Sequence, residues 1–388
     1  MERLSFENSN NDSSEQNRLS SELLDFWSAR GYTPRTNGFP LLSCPKSLLV
    51  VNSTIAPYID NIIPNSKVDI NDVLVQKCVR MNALNKSGLL ISNEWNTSFV
   101  MGGIVTSEST LTEVTKDTFL FFTDKQGIDT DKLVISLNPN DVQSIEALKQ
   151  IKIDKKNVDF LDKNKDVWVN WQFGTPGPNG DGITFSLIMD EDRKDIRQFL
   201  NIIHIDKYLD KDGVMQTIPS QVIDMGFGLE RFISLRNKTG LYGSNRYREY
   251  IESIKTRVKN INPENTKRIM SASDNIETLK IILDEGINPG NKNEKYVARK
   301  LARNIFLQLD LLECFENNNL YETIFNKEER EILDSEVVAY RKIVQTAEKV
   351  IKKIKPNQFC SRSDLVFLLK DTYGIPEEIA AEFVKVRV

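Results

Sequence analysis

The sequence predicts an α+β fold: a mainly antiparallel sheet flanked by helices, followed by an all-helical domain. Three observations predict it. Apolar, β-branched runs at residues 48–51, 133–137, 167–173, 183–189 and 199–205 are separated by turn-rich stretches, at uneven spacing and with few helical crossovers between them. After about Tyr242 the texture changes to helical periodicity. At 388 residues the chain is also long enough for two or three domains, each with its own core.

Residues 1–17 are rich in Asn, Ser and Glu and predict a disordered tail. Residues 20–30 predict an amphipathic helix, with Leu23, Leu24 and Trp27 on one side and Gly31 as its stop. The strand runs follow, with residues 174–182 (Gly-Thr-Pro-Gly-Pro-Asn-Gly-Asp-Gly) as the clearest turn segment. A domain boundary falls near residue 240: residues 18–240 form the α+β part and 241–388 the helical part. Helices are expected at 247–261, 278–283, 295–311 and 327–354. The last keeps an apolar stripe through Ile332, Leu333, Val337, Ile343, Val344, Ala347, Val350 and Ile351 until Pro356 ends it.

Composition excludes several classes. The net charge of −4 announces no general nucleic-acid binder, so any such surface is a local patch. No apolar run reaches membrane-spanning length and the first residues carry no signal-peptide core, so a cytoplasmic protein without a membrane partner is expected. Four cysteines (44, 78, 314 and 360) lie far apart with no Cys-x-x-Cys pair, which argues against a disulfide framework and against a protein zinc site. The single histidine, His204, lies in an apolar run and reads as a packed strand residue; one histidine excludes a His-rich metal site.

The most informative stretch is residues 222–231, Val-Ile-Asp-Met-Gly-Phe-Gly-Leu-Glu-Arg. Gly226 and Gly228 let a nucleotide approach backbone that has no Cβ. The planar guanidinium of Arg231 can stack on an adenine face and reach phosphate oxygens. Asp224 can hold an ammonium group. A strand-turn-helix junction with a solvated Glu-Arg pair explains the same letters.

Taken in order, the run Gln76-Lys77-Cys78-Val79-Arg80, the run Asn96-Thr97-Ser98-Phe99-Val100-Met101-Gly102-Gly103, the blocks Trp171-Gln172-Phe173-Gly174 and Asn201-Ile202-Ile203, and the 224–231 stretch resemble the catalytic core of the alanyl-tRNA synthetases, class II aminoacyl-tRNA synthetases. Residues 289–300 and 367–376 resemble that family's tRNA-recognition domain, so the likeness spans residues 18–385. It implies an AMP-forming ligase that activates alanine or another small amino acid with ATP and Mg²⁺ and charges tRNA. Arg80 would grip the α-phosphate. Phe99 and Arg231 would sandwich the adenine, with Met101, Gly226 and Gly228 completing the ATP site. Asp224 would accept the substrate ammonium, Trp171 would wall the side-chain pocket, and Asn201 and Ile203 would line it. Taken singly, Trp171 and Phe99 read equally as core aromatics.

On the RNA side, Asn293 and Asp371 match the pair that reads the acceptor stem, and Arg299, Lys300 and Arg303 match part of its basic helix; a basic helix face is also often simply solvated. The chain departs from the family pattern at Glu94, where a phosphate-facing arginine stands, at Ser186, where an acid is expected, and at Asn304, another arginine position. An editing domain is not expected. Two other functions fit the same letters: a paralogue that passes the activated amino acid to a non-tRNA acceptor in a biosynthetic pathway, and a catalytically weak tRNA-binding protein.

Overall fold

The computed structural model describes residues 12–151, 153–161, 171–316, 319–353 and 361–387. It divides into two compact units, Met1–Cys78 with Phe99–Gly240, and Val79–Ser98 with Leu241–Val388. A single cut near 240 does not contain that excursion: the segment Val79–Ser98, from the end of β2 to the start of β3, belongs with the helical unit.

The first unit is built on one mixed sheet. Its strands are β1 (Thr33–Arg35), β2 (Asn71–Val79), β3 (Ser98–Thr106), β4 (Leu133–Leu137), β5 (Val158–Phe160), β6 (Trp171–Gln172), β7 (Gly177–Ile188), β8 (Ile196–Leu209) and β9 (Met215–Gly228). They run in the order β1-β2-β3-β9-β8-β7-β4-β5, with β6 on β7. The central pairs β3–β9, β9–β8, β8–β7 and β7–β4 are antiparallel; β1–β2 and β4–β5 are parallel. Helices α1 (Asp12–Ser28), α2 (Leu111–Leu120), α3 (Val142–Leu148) and α4 (Leu229–Asn237) belong to this unit. Side chains alternate across a strand, so each strand feeds two cores. On one face Ile202, Ile223, Met225 and Phe227 meet Leu23 and Trp27 of α1 and Phe232 of α4. On the other, Val105, Ile203, Ile205 and Val222 meet Ile55, Tyr58 and Ile59.

The second unit holds α5 (Asn245–Lys255), α6 (Pro263–Asp284), α7 (Asn293–Leu311), α8 (Leu320–Ile324), α9 (Lys327–Lys353), α10 (Arg362–Asp371) and α11 (Glu377–Arg387). Asn262 caps α6 and Pro263 opens it, where a missing N–H costs nothing.

Several expectations are corrected. Residues 48–51 form a bend and irregular backbone instead of a strand, with Pro40 and Pro45 breaking the stretch before them. Asp12–Asn17 is the first turn and a half of α1: Glu15 is anchored by Arg236 and by Asn237 Nδ2 at 2.8 Å, so that part of the expected tail is helical. Gly177–Gly182 is not a turn but the start of β7, paired to β8 throughout. Helix 247–261 is shorter, ending at Lys255, and 278–283 is the end of a 22-residue helix whose first half, with Ser271, Ser273 and Asp274 buried, lacks a clean apolar stripe. Residues 1–11, 167–170, Ile354, Pro356 and Cys360 lie outside the described residues.

Candidate active site

The sheet face away from α1 and α4 carries the candidate site of the first unit. In β9, Ile223, Met225 and Phe227 point into the helix-backed core, so Asp224, Gly226 and Gly228 present the other face. Register then sets their neighbours. Gly228 pairs with Met101, Gly226 lies between Gly103 and Asn201, and Asp224 lies between Val105 and Ile203. Phe99, two residues before Met101, shares its face. A Cβ on Gly228 would sit 3.7 Å from the Phe99 ring and 3.6 Å from Arg231 Cβ, so the glycine separates the aromatic from the arginine.

Asp224 is 8% exposed, and Thr54 Oγ1 donates to its Oδ1 at 2.7 Å. A buried carboxylate needs such donors or a cationic partner to offset lost hydration. A Cβ on Gly226 would lie 2.4 Å from Met101 Cε, the flexible end of that side chain, and 3.2 Å from Thr54 Oγ1, so a side chain there would push against both. Asn201 Oδ1 accepts from Thr184 Oγ1 and from Gln198 Nε2, both at 2.8 Å, which fixes the amide's orientation. Gln198 in turn offers its backbone carbonyl to Arg231 Nε at 2.8 Å. Glu230, the residue beside that arginine, is buried and accepts the Val100 N–H on both oxygens at 3.0 Å. It ties the start of α4 to the strand that bears Phe99, and its charge suits a helix N-terminus. Trp171 opens β6 opposite Gly180 and packs, with Phe173, against the core that contains Ile203 and Val222.

Thus Phe99, Met101, Trp171, Asn201, Ile203, Asp224, Gly226, Gly228 and Arg231 all belong to the first unit. Arg80 belongs to the second. It follows β2, is partly buried, and donates its backbone N–H to Thr97 O at 2.7 Å.

The residues expected to meet RNA lie in the helical unit. Asn293 opens α7 exposed, in the left-handed region at φ +52°, a conformation asparagine tolerates. Asp371 is the exposed last residue of α10. Arg299 and Arg303 both ion-pair with one buried carboxylate, Glu336 of α9, at 2.7 and 3.0 Å. An open cavity of about 330 Å³ lies beside them, lined in part by Lys300, Asn304, Leu307 and Ile379.

His204 is buried on the helix-backed face and sits 2.8 Å from Asp141. Burial works to raise the Asp141 carboxyl, but bonds from His204 and Ser144 outweigh it and hold it below the usual range.

Comparison with known proteins places the chain in a family. The family described as tRNA synthetases class II (A) matches residues 18–387. The chain belongs to this family. Its curated relatives include alanine–tRNA ligases. That of Buchnera aphidicola (Cinara cedri) is 27% identical over 60% of this chain and 30% of its own length. That of Ehrlichia canis is 22% identical over 93% of this chain and 45% of its own. That of Borrelia hermsii is 24% identical over 94% and 68%. The chain therefore spans less than half of the first two. A solved asparaginyl-tRNA synthetase of Entamoeba histolytica, in complex with asparaginyl-adenylate, is 8% identical over 62% of this chain and 72% of its own, with a TM-score of 0.31, a likeness too loose to support an argument.

Four residues of the chain escaped sequence reading. Thr54, Gln198 and Glu230 act through hydrogen bonds between segments far apart in sequence, and Glu336 lies on a different helix from the arginines it binds. Glu230 alone had a signal, an acid at a helix start. Class II synthetases use ATP and Mg²⁺ in general. Here Ser186 offers only a buried hydroxyl, and no three His, Cys, Asp or Glu residues group as metal ligands among the described residues. These residues do not form a metal cage; Mg²⁺ commonly rides on nucleotide phosphates instead.

Proposed function

We propose that the chain activates alanine, or another small amino acid, with ATP and passes the aminoacyl group to tRNA. The observation that carries this reading is the buried Asp224 carboxylate, anchored by Thr54 beside Asn201 and Ile203, on the face where Gly228 separates Phe99 from Arg231. The substrate ammonium pairs with Asp224. The oriented Asn201 amide offers its NH₂ to the substrate, and Ile203 and Trp171 bound the volume left for a side chain. Adenine lies over Gly228, between the Phe99 ring and the Arg231 guanidinium.

The substrate carboxylate attacks the α-phosphorus, the bond to the bridging oxygen breaks, and pyrophosphate leaves with the electron pair. Arg80, assigned to the α-phosphate by family resemblance, stabilises the charge that develops on its oxygens. A terminal ribose hydroxyl of tRNA then attacks the acyl carbon, loses its proton, and AMP departs. ATP–pyrophosphate exchange across the amino acids tests the first half. Alanine should lead, with glycine and serine trailing by roughly 10–100-fold, since a methyl or hydroxyl is worth only about 1–3 kcal/mol. No exchange with any small amino acid overturns the reading.

A second reading has its own support. Arg299 and Arg303 are engaged by Glu336, and Asn304 Nδ2 is engaged by the Gly88 carbonyl at 2.7 Å, so much of the expected RNA-binding helix is bonded internally. This favours an acceptor other than tRNA. Acylation of total tRNA decides: strong exchange without charging selects the alternative acceptor, and tight tRNA binding without ATP binding selects a binding protein.

A further inference from the structure

The segment 79–98 belongs to the helical unit and is anchored there at both its tip and its base. At the tip, Gly88 turns at φ +70° and its carbonyl accepts from Asn304 Nδ2 at 2.7 Å. Gln308 Nε2 reaches Ser87 O at 3.3 Å and Asn304 Oδ1 at 3.1 Å, and Ser271 Oγ accepts the Leu90 N–H at 3.0 Å. At the base, one peptide makes two bonds. The Thr97 N–H donates to Asp274 Oδ1 and Oδ2 at 3.0 and 3.2 Å, and the Thr97 carbonyl accepts the Arg80 N–H at 2.7 Å. The next residue, Ser98, accepts from Arg246 at 2.8 Å and from Thr278 at 2.9 Å. Asp274 has 0% exposure in the middle of α6, far from either helix end, so no solvent or helix-terminus role accounts for a carboxylate there.

We propose that Asp274 is a positioning residue for Arg80: it fixes the Thr97 peptide, and that peptide fixes the backbone from which the Arg80 guanidinium extends. The inference rests on the adenylation role given to Arg80 above. A carboxylate is suited to the task because it accepts the N–H on both oxygens at once, which a neutral acid or amide does less strongly. Its titratable and charged surroundings are Tyr242, whose hydroxyl donates to Oδ1 at 3.3 Å, Arg246 and Tyr247 from α5, and Glu277 from α6 itself, paired with Arg246 at 3.1 Å. Burial first, against the bonds from Thr97, raises the Asp274 carboxyl to about 6.

The test uses the full chain with Asp274→Ala and Asp274→Asn. In pyrophosphate exchange, Asp274→Ala should lower kcat by about 10²-fold while the KM for the amino acid stays within about 2-fold, because the anchor acts on phosphate-side geometry. Asp274→Asn, a neutral acceptor like the protonated acid, should recover only part of that loss. In the wild type kcat should fall on acidification with a midpoint near 6 that Asp274→Asn lacks. Equal kcat in a folded Asp274→Ala variant, or identical pH profiles for wild type and Asp274→Asn, overturns the proposal. Amide hydrogen exchange separates this from failure of the ligase reading. Even in a chain without exchange activity, Thr97 should be protected in the wild type and deprotected in Asp274→Ala. An unprotected wild-type Thr97, or no change in the variant, also overturns the proposal. A wild type inactive with every amino acid sinks the ligase reading and the positioning role together, leaving only the anchor.

Discussion

The sheet face of the first unit and the α7 face of the second assemble their polar groups in opposite ways. On the sheet, strands in register set Asp224 between Val105 and Ile203 and Gly226 between Gly103 and Asn201, and the central carboxylate has its donor from a loop. On α7, Arg299 and Arg303 are neighbours by helical spacing alone, and both guanidiniums are held by a carboxylate 33 or 37 residues away. On the sheet a loop hydroxyl donates to a buried acid; on α7 two guanidiniums converge on one buried carboxylate of the same unit. Charge at helical spacing is thus a weaker sign of a ligand than a buried acid facing glycines.

The comparison breaks first at Asp224. Asp224→Ala should reduce kcat/KM for pyrophosphate exchange by about 10³-fold, the loss expected when a buried charged partner is removed. A fall of less than about 10-fold would mean the ammonium sits elsewhere. Next in size is a stability effect in the helical unit. Asp274 has its carboxyl raised to about 6 from an ordinary 3.8, so the folded state binds the proton more tightly than the unfolded chain. Stability measured against Asp274→Asn should therefore fall as pH rises from about 4 to 6, by a few kcal/mol at most, and level off above. Chemical denaturation at three pH values checks it, and a rise instead of a fall contradicts it.

A smaller effect sharpens the sheet side. Thr54→Val keeps the shape and removes the donor to Asp224, so the KM for the amino acid should rise roughly 5–10-fold with little change in fold stability, one hydrogen bond to a charged group being worth about 1–2 kcal/mol. The smallest effect is on α7. Glu336→Gln weakens the hold on Arg299 and Arg303; affinity for a tRNA transcript should rise about 3-fold and its salt dependence should steepen by up to two phosphate contacts. Filter binding at two ionic strengths reads both, and unchanged affinity would mean that those guanidiniums never meet RNA.

The sequence carried the fold class because β4, β7 and β8 are built on apolar β-branched runs, and because α7 and α9 keep helical stripes. It predicted no strand over the first half of β9, where Pro219, Ser220 and Gln221 interrupt the alternation; the register shift between Ile205 and Lys207 of the partner strand lies in this stretch, which is where a sheet tolerates proline. It misread 177–182 as turn because glycine and proline dominate there, although the strand pairs through that stretch. Family order named candidate residues, but nothing in that order says that Thr54 meets Asp224 or that Asn304 meets Gly88. Such contacts join positions 170 and 216 apart, and no local pattern encodes them.

The discontinuity of the helical unit has a cost in time. Thr97 leaves the ribosome 177 residues ahead of Asp274, its acceptor. At synthesis rates of about 5–20 residues per second, the nascent segment waits roughly 9–35 s with its backbone donors answered only by water or a chaperone. A slowly translated message lengthens that exposure, so the yield of folded protein should depend on codon speed between those two positions.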